Sequence, residues 1–106
     1  MNEQSRYKVL VSPRARDMLF SHARFLAQSS VKAGEELFDL FEEKIDSLED
    51  MPERCALYDN PYLTYGKYRK IALGKHLLIL FQVLQDTVYI DLIIDNRAKN
   101  ANLSNS

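Results

Sequence analysis

Residues 77–97 read LLILFQVLQDTVYIDLIIDNR. Two runs rich in β-branched and aromatic residues, Leu77 to Leu84 and Thr87 to Ile94, are parted only by Gln85-Asp86. A gap that short joins antiparallel neighbours in a hairpin. In the second run Val88, Ile90, Leu92 and Ile94 alternate with Thr87, Tyr89, Asp91 and Asp95. Period two then sets one face of a sheet against a core and leaves the other open. Upstream, Tyr68 to Leu73 has the same strand character and reaches the hairpin through a Gly74-Lys75 turn.

The segments further upstream supply what covers that sheet. Tyr7 to Val11, YKVLV, reads as a short strand that pairs at an edge or beside the last strand. Ser12-Pro13 is an N-cap followed by proline at the first helical position, where its missing N–H costs nothing. In the helix that follows, Ala15, Met18, Leu19, His22, Phe25 and Leu26 repeat at three and four and form one core-facing stripe. Within it His22 is expected to pack at the core edge. Ser29-Ser30 breaks the pattern, and a second helix over Val31 to Glu49 carries Ala33, Leu37, Leu40, Phe41, Ile45 and Leu48 on one side. A connection this short makes the two helices an antiparallel hairpin. Asp50 to Tyr65, with Pro52 and Asp59-Asn60-Pro61, reads as loop, and the Asn- and Ser-rich residues 97–106 read as a polar, mobile tail.

The expected fold is α+β, with elements in the order βααβββ. A helical hairpin lies on one face of a twisted, mainly antiparallel four-stranded sheet, and all 106 residues belong to one domain. The single cysteine, Cys55, permits no internal disulfide and no cysteine-built zinc site. The longest apolar run, Leu77 to Leu84, is too short to span a bilayer. A reducing, cytoplasmic setting is the expectation.

The net charge of −1 conceals a division. Nine carboxylates lie between Glu35 and Glu53 against Lys44 alone, whereas Asn60 to Gln85 holds no acid but carries Lys67, Arg69, Lys70 and Lys75. The acids fall mainly off the apolar stripe of their helix and read as a solvated face rather than a metal site. The basic stretch GKYRKIALGKH, residues 66–76, is the candidate site. Arg69 can fork to two phosphate oxygens and His76 can pass a proton near neutral pH, so these two are the candidate catalytic residues. Lys67, Lys70, Lys75 and Arg97 are candidates for binding phosphate or a partner. Arg69, Lys70, Lys75 and Arg97 are expected to converge on one rim. A Cys55 nucleophile with His76 is a weaker arrangement, and no phosphate loop, zinc helix or serine elbow occurs.

Taken together, the SPRARDML helix start, LEDMP at residues 48–52, YRK entering the second strand and the closing VYIDLIIDNR resemble the RelE/ParE superfamily of bacterial type II toxin–antitoxin toxins over about residues 7 to 97. The resemblance implies a small toxin neutralised by a cognate antitoxin, with no cofactor or metal. It leaves two targets open: ribosome-dependent cleavage of mRNA, or inhibition of DNA gyrase without nuclease chemistry. An inert protein-binding domain is the weaker alternative. Arg69 matches the arginine that enters the second strand in both groups, and Arg97 falls at the basic position after the last strand. Where many of the nucleases carry an arginine in the third strand this chain has Leu78, and where some end in His-Tyr it has Asn96-Arg97. Leu78 and Leu80, expected as an apolar strip on the open face, are the candidate contacts for an antitoxin segment.

Overall fold

The computed structural model describes residues 6–98; the tail expected over residues 97–106 therefore lies, from residue 99 on, outside the described residues. The chain runs β1 (Lys8–Val11), α1 (Pro13–Ala27), α2 (Val31–Ser47), a 3-10 turn (Pro52–Arg54), β2 (Leu57–Tyr58), β3 (Tyr68–Leu73), β4 (Leu77–Leu84), β5 (Thr87–Asp95) and a last 3-10 turn (Asn96–Ala98). The five strands form one sheet in the order β1-β5-β4-β3-β2. Only the β1–β5 pair is parallel, since the chain returns to it through the helical hairpin.

Both helices start where the sequence supplies a cap. The Ser12 hydroxyl accepts from the Ala15 N–H at 2.9 Å, and the Ser30 hydroxyl accepts from the Ala33 N–H at 3.1 Å. Ser12→Ala is accordingly expected to cost about 1 kcal/mol, read as a shift in the urea midpoint at unchanged slope. The helices approach closely at Gly34, where a Cβ would stand 2.8 Å from the Ala23 carbonyl oxygen, so no larger residue fits without moving the backbone. Ala15, Leu19, Leu37 and Phe41 then meet Ile79, Phe81, Val88 and Ile90 in the main core. Both helices lie on one face of the sheet, α1 against β5 and α2 against β3. The α1 stripe is shifted from its expected course: Ala23 is buried, while Phe25 and Leu26 are exposed at the helix end.

Two expectations are corrected. First, the sheet has five strands, because the short β2 pairs Leu57 with Arg69 and Tyr58 with Tyr68. Second, the alternation in β5 does not persist. Leu80 faces Leu92 but Phe81 faces Ile90, so Asp91 is the extra residue of a β-bulge. Beyond it the parity flips: Ile93 joins Val88 and Ile90 in the main core, whereas Leu92 and Ile94 turn to the opposite face. There they form a second core with Tyr68 and Leu80, and Tyr58, Leu63 and Leu78 pack on it. The face expected to be open is therefore partly roofed by the segment between β2 and β3. Leu80 is fully buried and Leu78 half-buried, so the expected apolar antitoxin strip is largely occupied by the chain itself.

Candidate functional site

The basic residues separate to the two ends of β3. From Arg69 to Leu73 the strand advances by roughly 13 Å, and Lys75 and His76 lie beyond it in the three-residue loop that Gly74 opens with a φ of +73°. One convergent rim is thus replaced by two groups.

At the loop end, the His76 carbonyl accepts from the Asn96 N–H at 2.6 Å, which brings the turn after β5 beside the β3–β4 loop. Arg97 follows, and its guanidinium donates through Nη2 at 2.8 Å and Nε at 3.2 Å to the two carboxylate oxygens of Asp95. His22 meets the Ile93 carbonyl through Nε2 at 3.0 Å, at the core edge where its place in the stripe puts it. These side chains and the exposed ring of Phe25 border a cleft of about 260 Å³ floored by Leu37, Leu73 and Leu77. The sequence signalled Lys75, His76 and Arg97 there, but not that an apolar floor would accompany them.

Hydrogen bonding to Arg97 holds the Asp95 carboxyl down to about 2, with further help from the nearby His22. A carboxylate favoured in the folded state adds stability above its ordinary value near 4, and this is lost as pH falls through about 2. The pair is part exposed, so the contribution is modest. Acid titration of the unfolding midpoint should show this loss in the wild type and not in Asp95→Asn.

At the other end Arg69 donates through Nη1 to the Cys55 carbonyl at 2.7 Å and the Glu53 carbonyl at 3.2 Å. Arg54 binds the preceding turn in a similar way, reaching the Asp50 carbonyl at 2.7 Å. Both arginines therefore staple the chain between α2 and β2. Cys55, among them, is half-buried; burial pushes its thiol up and Arg54 and Arg69 only partly offset this. It stays protonated and lies at the wrong end of β3 for His76, which removes the proposed nucleophile. Tyr68 donates its hydroxyl to the Asp91 carboxylate in the bulge. Burial and then that bond push the hydroxyl up to about 12, so it is a neutral donor and no base near pH 7.

Lys67 and Lys70 lie outside these bonds. The ammonium of Lys67 sits 5.2 Å from the centre of the Tyr68 ring, and that of Lys70 5.8 Å from the centre of the Tyr58 ring. Neither lysine has an ion-pair partner among the described residues. The exposed acids of α2 form a solvated face, and among the described residues no group of three or more histidine, cysteine or carboxylate side chains is placed to hold a metal ion. No helix among them is long and apolar enough to cross a membrane.

Comparison with known proteins agrees with this architecture. The family model described as the ParE toxin of the type II toxin–antitoxin system, parDE, matches residues 9–99. No curated protein matches the chain. Among solved structures, the chromosomal ParDE toxin–antitoxin system from P. aeruginosa superposes with a TM-score of 0.60 at 15% identity, covering 86% of this chain and 97% of that one. At that identity the likeness concerns the fold.

Proposed function

Because the chain belongs to the ParE toxin family of type II toxin–antitoxin systems, we propose that it arrests growth by inhibiting DNA gyrase and that it does not cleave RNA. The observation that carries this reading is the employment of Arg69. A ribonuclease needs a phosphate-binding cation and a proton-transfer group within reach of one scissile bond. Here the guanidinium is engaged with the Glu53 and Cys55 carbonyls, and His76 lies beyond the far end of the strand. Tyr68, the nearest alternative base, is held neutral by burial and by Asp91. The family assignment favours the gyrase reading over the ribosomal one for the same fold.

The partner in this reading is a cognate antitoxin, as in the ParDE system whose structure resembles this chain. With Leu80 buried, the helical hairpin offers it an apolar surface instead, where Phe25 and Val31 are each about two-thirds exposed. Both proposed partners place the protein in the cytoplasm.

A supercoiling assay with relaxed plasmid, gyrase and ATP, run beside toe-printing of mRNA on ribosomes, tests the proposal. The expected result is loss of supercoiling with intact mRNA, unchanged in His76→Ala. Cleaved mRNA with normal supercoiling would overturn it in favour of ribosomal cleavage. Neither effect, with harmless expression, would leave an inert binding domain.

A further inference from the structure

The segment between β2 and β3 presents more than a roof for the second core. Leu63 is its inward anchor, packed on the cluster around Tyr68 and Leu80. Two turns shape it. Asn60 accepts from the Tyr62 N–H at 2.8 Å through its side chain and from the Leu63 N–H at 2.9 Å through its carbonyl; the Lys67 N–H reaches the Thr64 carbonyl at 3.2 Å. Gly66, at a φ of +75°, permits the second turn, and nothing lies within 4 Å of where its Cβ would be. So held, the segment turns Tyr62 and Tyr65 outward, 58% and 83% exposed. Lys67 follows at once, and Lys70 projects from the first turn of β3 on the same side of the sheet as Tyr68.

Exposed tyrosine rings and ammonium groups without an ion-pair partner among the described residues, all within residues 62–70, are the two elements that bind a strand of nucleic acid without reading its sequence: planar faces on which bases stack, and cations that track the phosphates. The surroundings favour an anion. No acid occurs from Asn60 to Gln85, and Asp91, on β5 and separated from β3 by β4, already accepts the Tyr68 hydroxyl. Asp59, at the start of the segment, is the one acid on it after β2. An acidic protein would be drawn by the same charge and can pack on tyrosine as well, so a glutamate-rich peptide is the control that separates the two.

We propose that the surface formed by Tyr62, Tyr65, Lys67 and Lys70 binds single-stranded or unstacked nucleic acid, through base stacking on the tyrosines and phosphate contacts from the lysines. This activity is separate from the choice of gyrase or ribosome as target and is measured with neither present.

The chain contains no tryptophan, so Tyr65→Trp installs a single fluorescent reporter that keeps the stacking face. Titrated with a twelve-nucleotide oligo(dT), this variant is expected to lose emission on binding. A labelled oligonucleotide in anisotropy should bind the wild type with a salt dependence of about −1.4 in log K against log salt, the value for two phosphates on a single strand. Tyr65→Ala should weaken binding about tenfold, and the Lys67→Glu, Lys70→Glu pair should abolish it. All four positions are solvent-facing or lie at the strand edge, and near-ultraviolet circular dichroism confirms that each variant is folded. Equal binding of a glutamate-rich peptide or of a duplex of the same length, or binding that Tyr65→Ala leaves unchanged, would overturn the proposal. So would binding to Tyr65→Trp without quenching, because the site would then be one of charge alone.

Discussion

Leu80→Ala is expected to lower the unfolding free energy by about 3 kcal/mol, and Leu80→Asp to prevent folding. The side chain is fully buried in a cluster with Tyr68, Leu92 and Ile94, on the sheet face opposite the main core, on which Met18 of α1 also packs. Truncation removes its transfer free energy and leaves a cavity, because strands on each side fix their side chains in place. Aspartate would bury a charge with no partner, which costs more than the whole stability of an ordinary domain of this size. Leu78→Ala, half-buried on the same face, should cost about 1 kcal/mol by the area it covers. Urea titration of both variants checks the contrast. If Leu80→Ala were as mild as Leu78→Ala, the second core would be absent and the open apolar strip would return as an antitoxin contact.

That second core was legible in the composition of the strands, though not in their alternation. A strand with one wet face reads apolar-polar, but Leu77 to Phe81 and Leu92 to Ile94 are unbroken apolar runs, the pattern of strands covered on both faces. The same runs hid the bulge. Leu92, Ile93 and Ile94 satisfy either parity, so only the pairing with β4 shows that Asp91 is the extra residue. The strand β2 left almost no trace, since Leu57-Tyr58 is too short for periodicity and pairs only because Arg69 and Tyr68 lie opposite. By contrast, the serine caps, the helical hairpin and both tight turns follow from local chemistry and fall where the sequence puts them.

The candidate site was legible in kind and only partly in place. Chain proximity suggested that Arg69, Lys70, Lys75 and His76 act together, yet a strand of six residues carries its two ends well apart, and that arithmetic was open to inspection. The meeting of Arg97 with the β3–β4 loop depends on the Asn96 bond to His76, a tertiary contact with no sequence signature. The tyrosines of the intervening segment were visible as letters, but their exposure is set by which of their neighbours, Leu63, turns inward.

Arg69→Ala is expected to destabilise the fold by about 2 kcal/mol, the worth of charge-assisted bonds to two carbonyls, of which that to Cys55 is part-buried. A catalytic arginine would behave differently, losing activity at an unchanged urea midpoint. Arg69→Lys should recover only part of the stability, because both carbonyls are met by Nη1 alone and the shorter, non-planar lysine side chain does not bring its ammonium to the position of that nitrogen. Cys55 offers an independent reading, since it is the only thiol and its own carbonyl is one of the two acceptors. Two effects of Arg69→Ala on alkylation of that thiol oppose each other. Removing a nearby positive charge takes away one of the influences that lower the thiol's pKa, which slows the reaction; freeing the segment exposes the sulfur, which speeds it. If the arginine is a structural staple the second effect dominates and alkylation accelerates together with the loss of stability. Slower alkylation at an unchanged midpoint would mean that the segment keeps its place without Arg69, and the guanidinium would again be available for a phosphate.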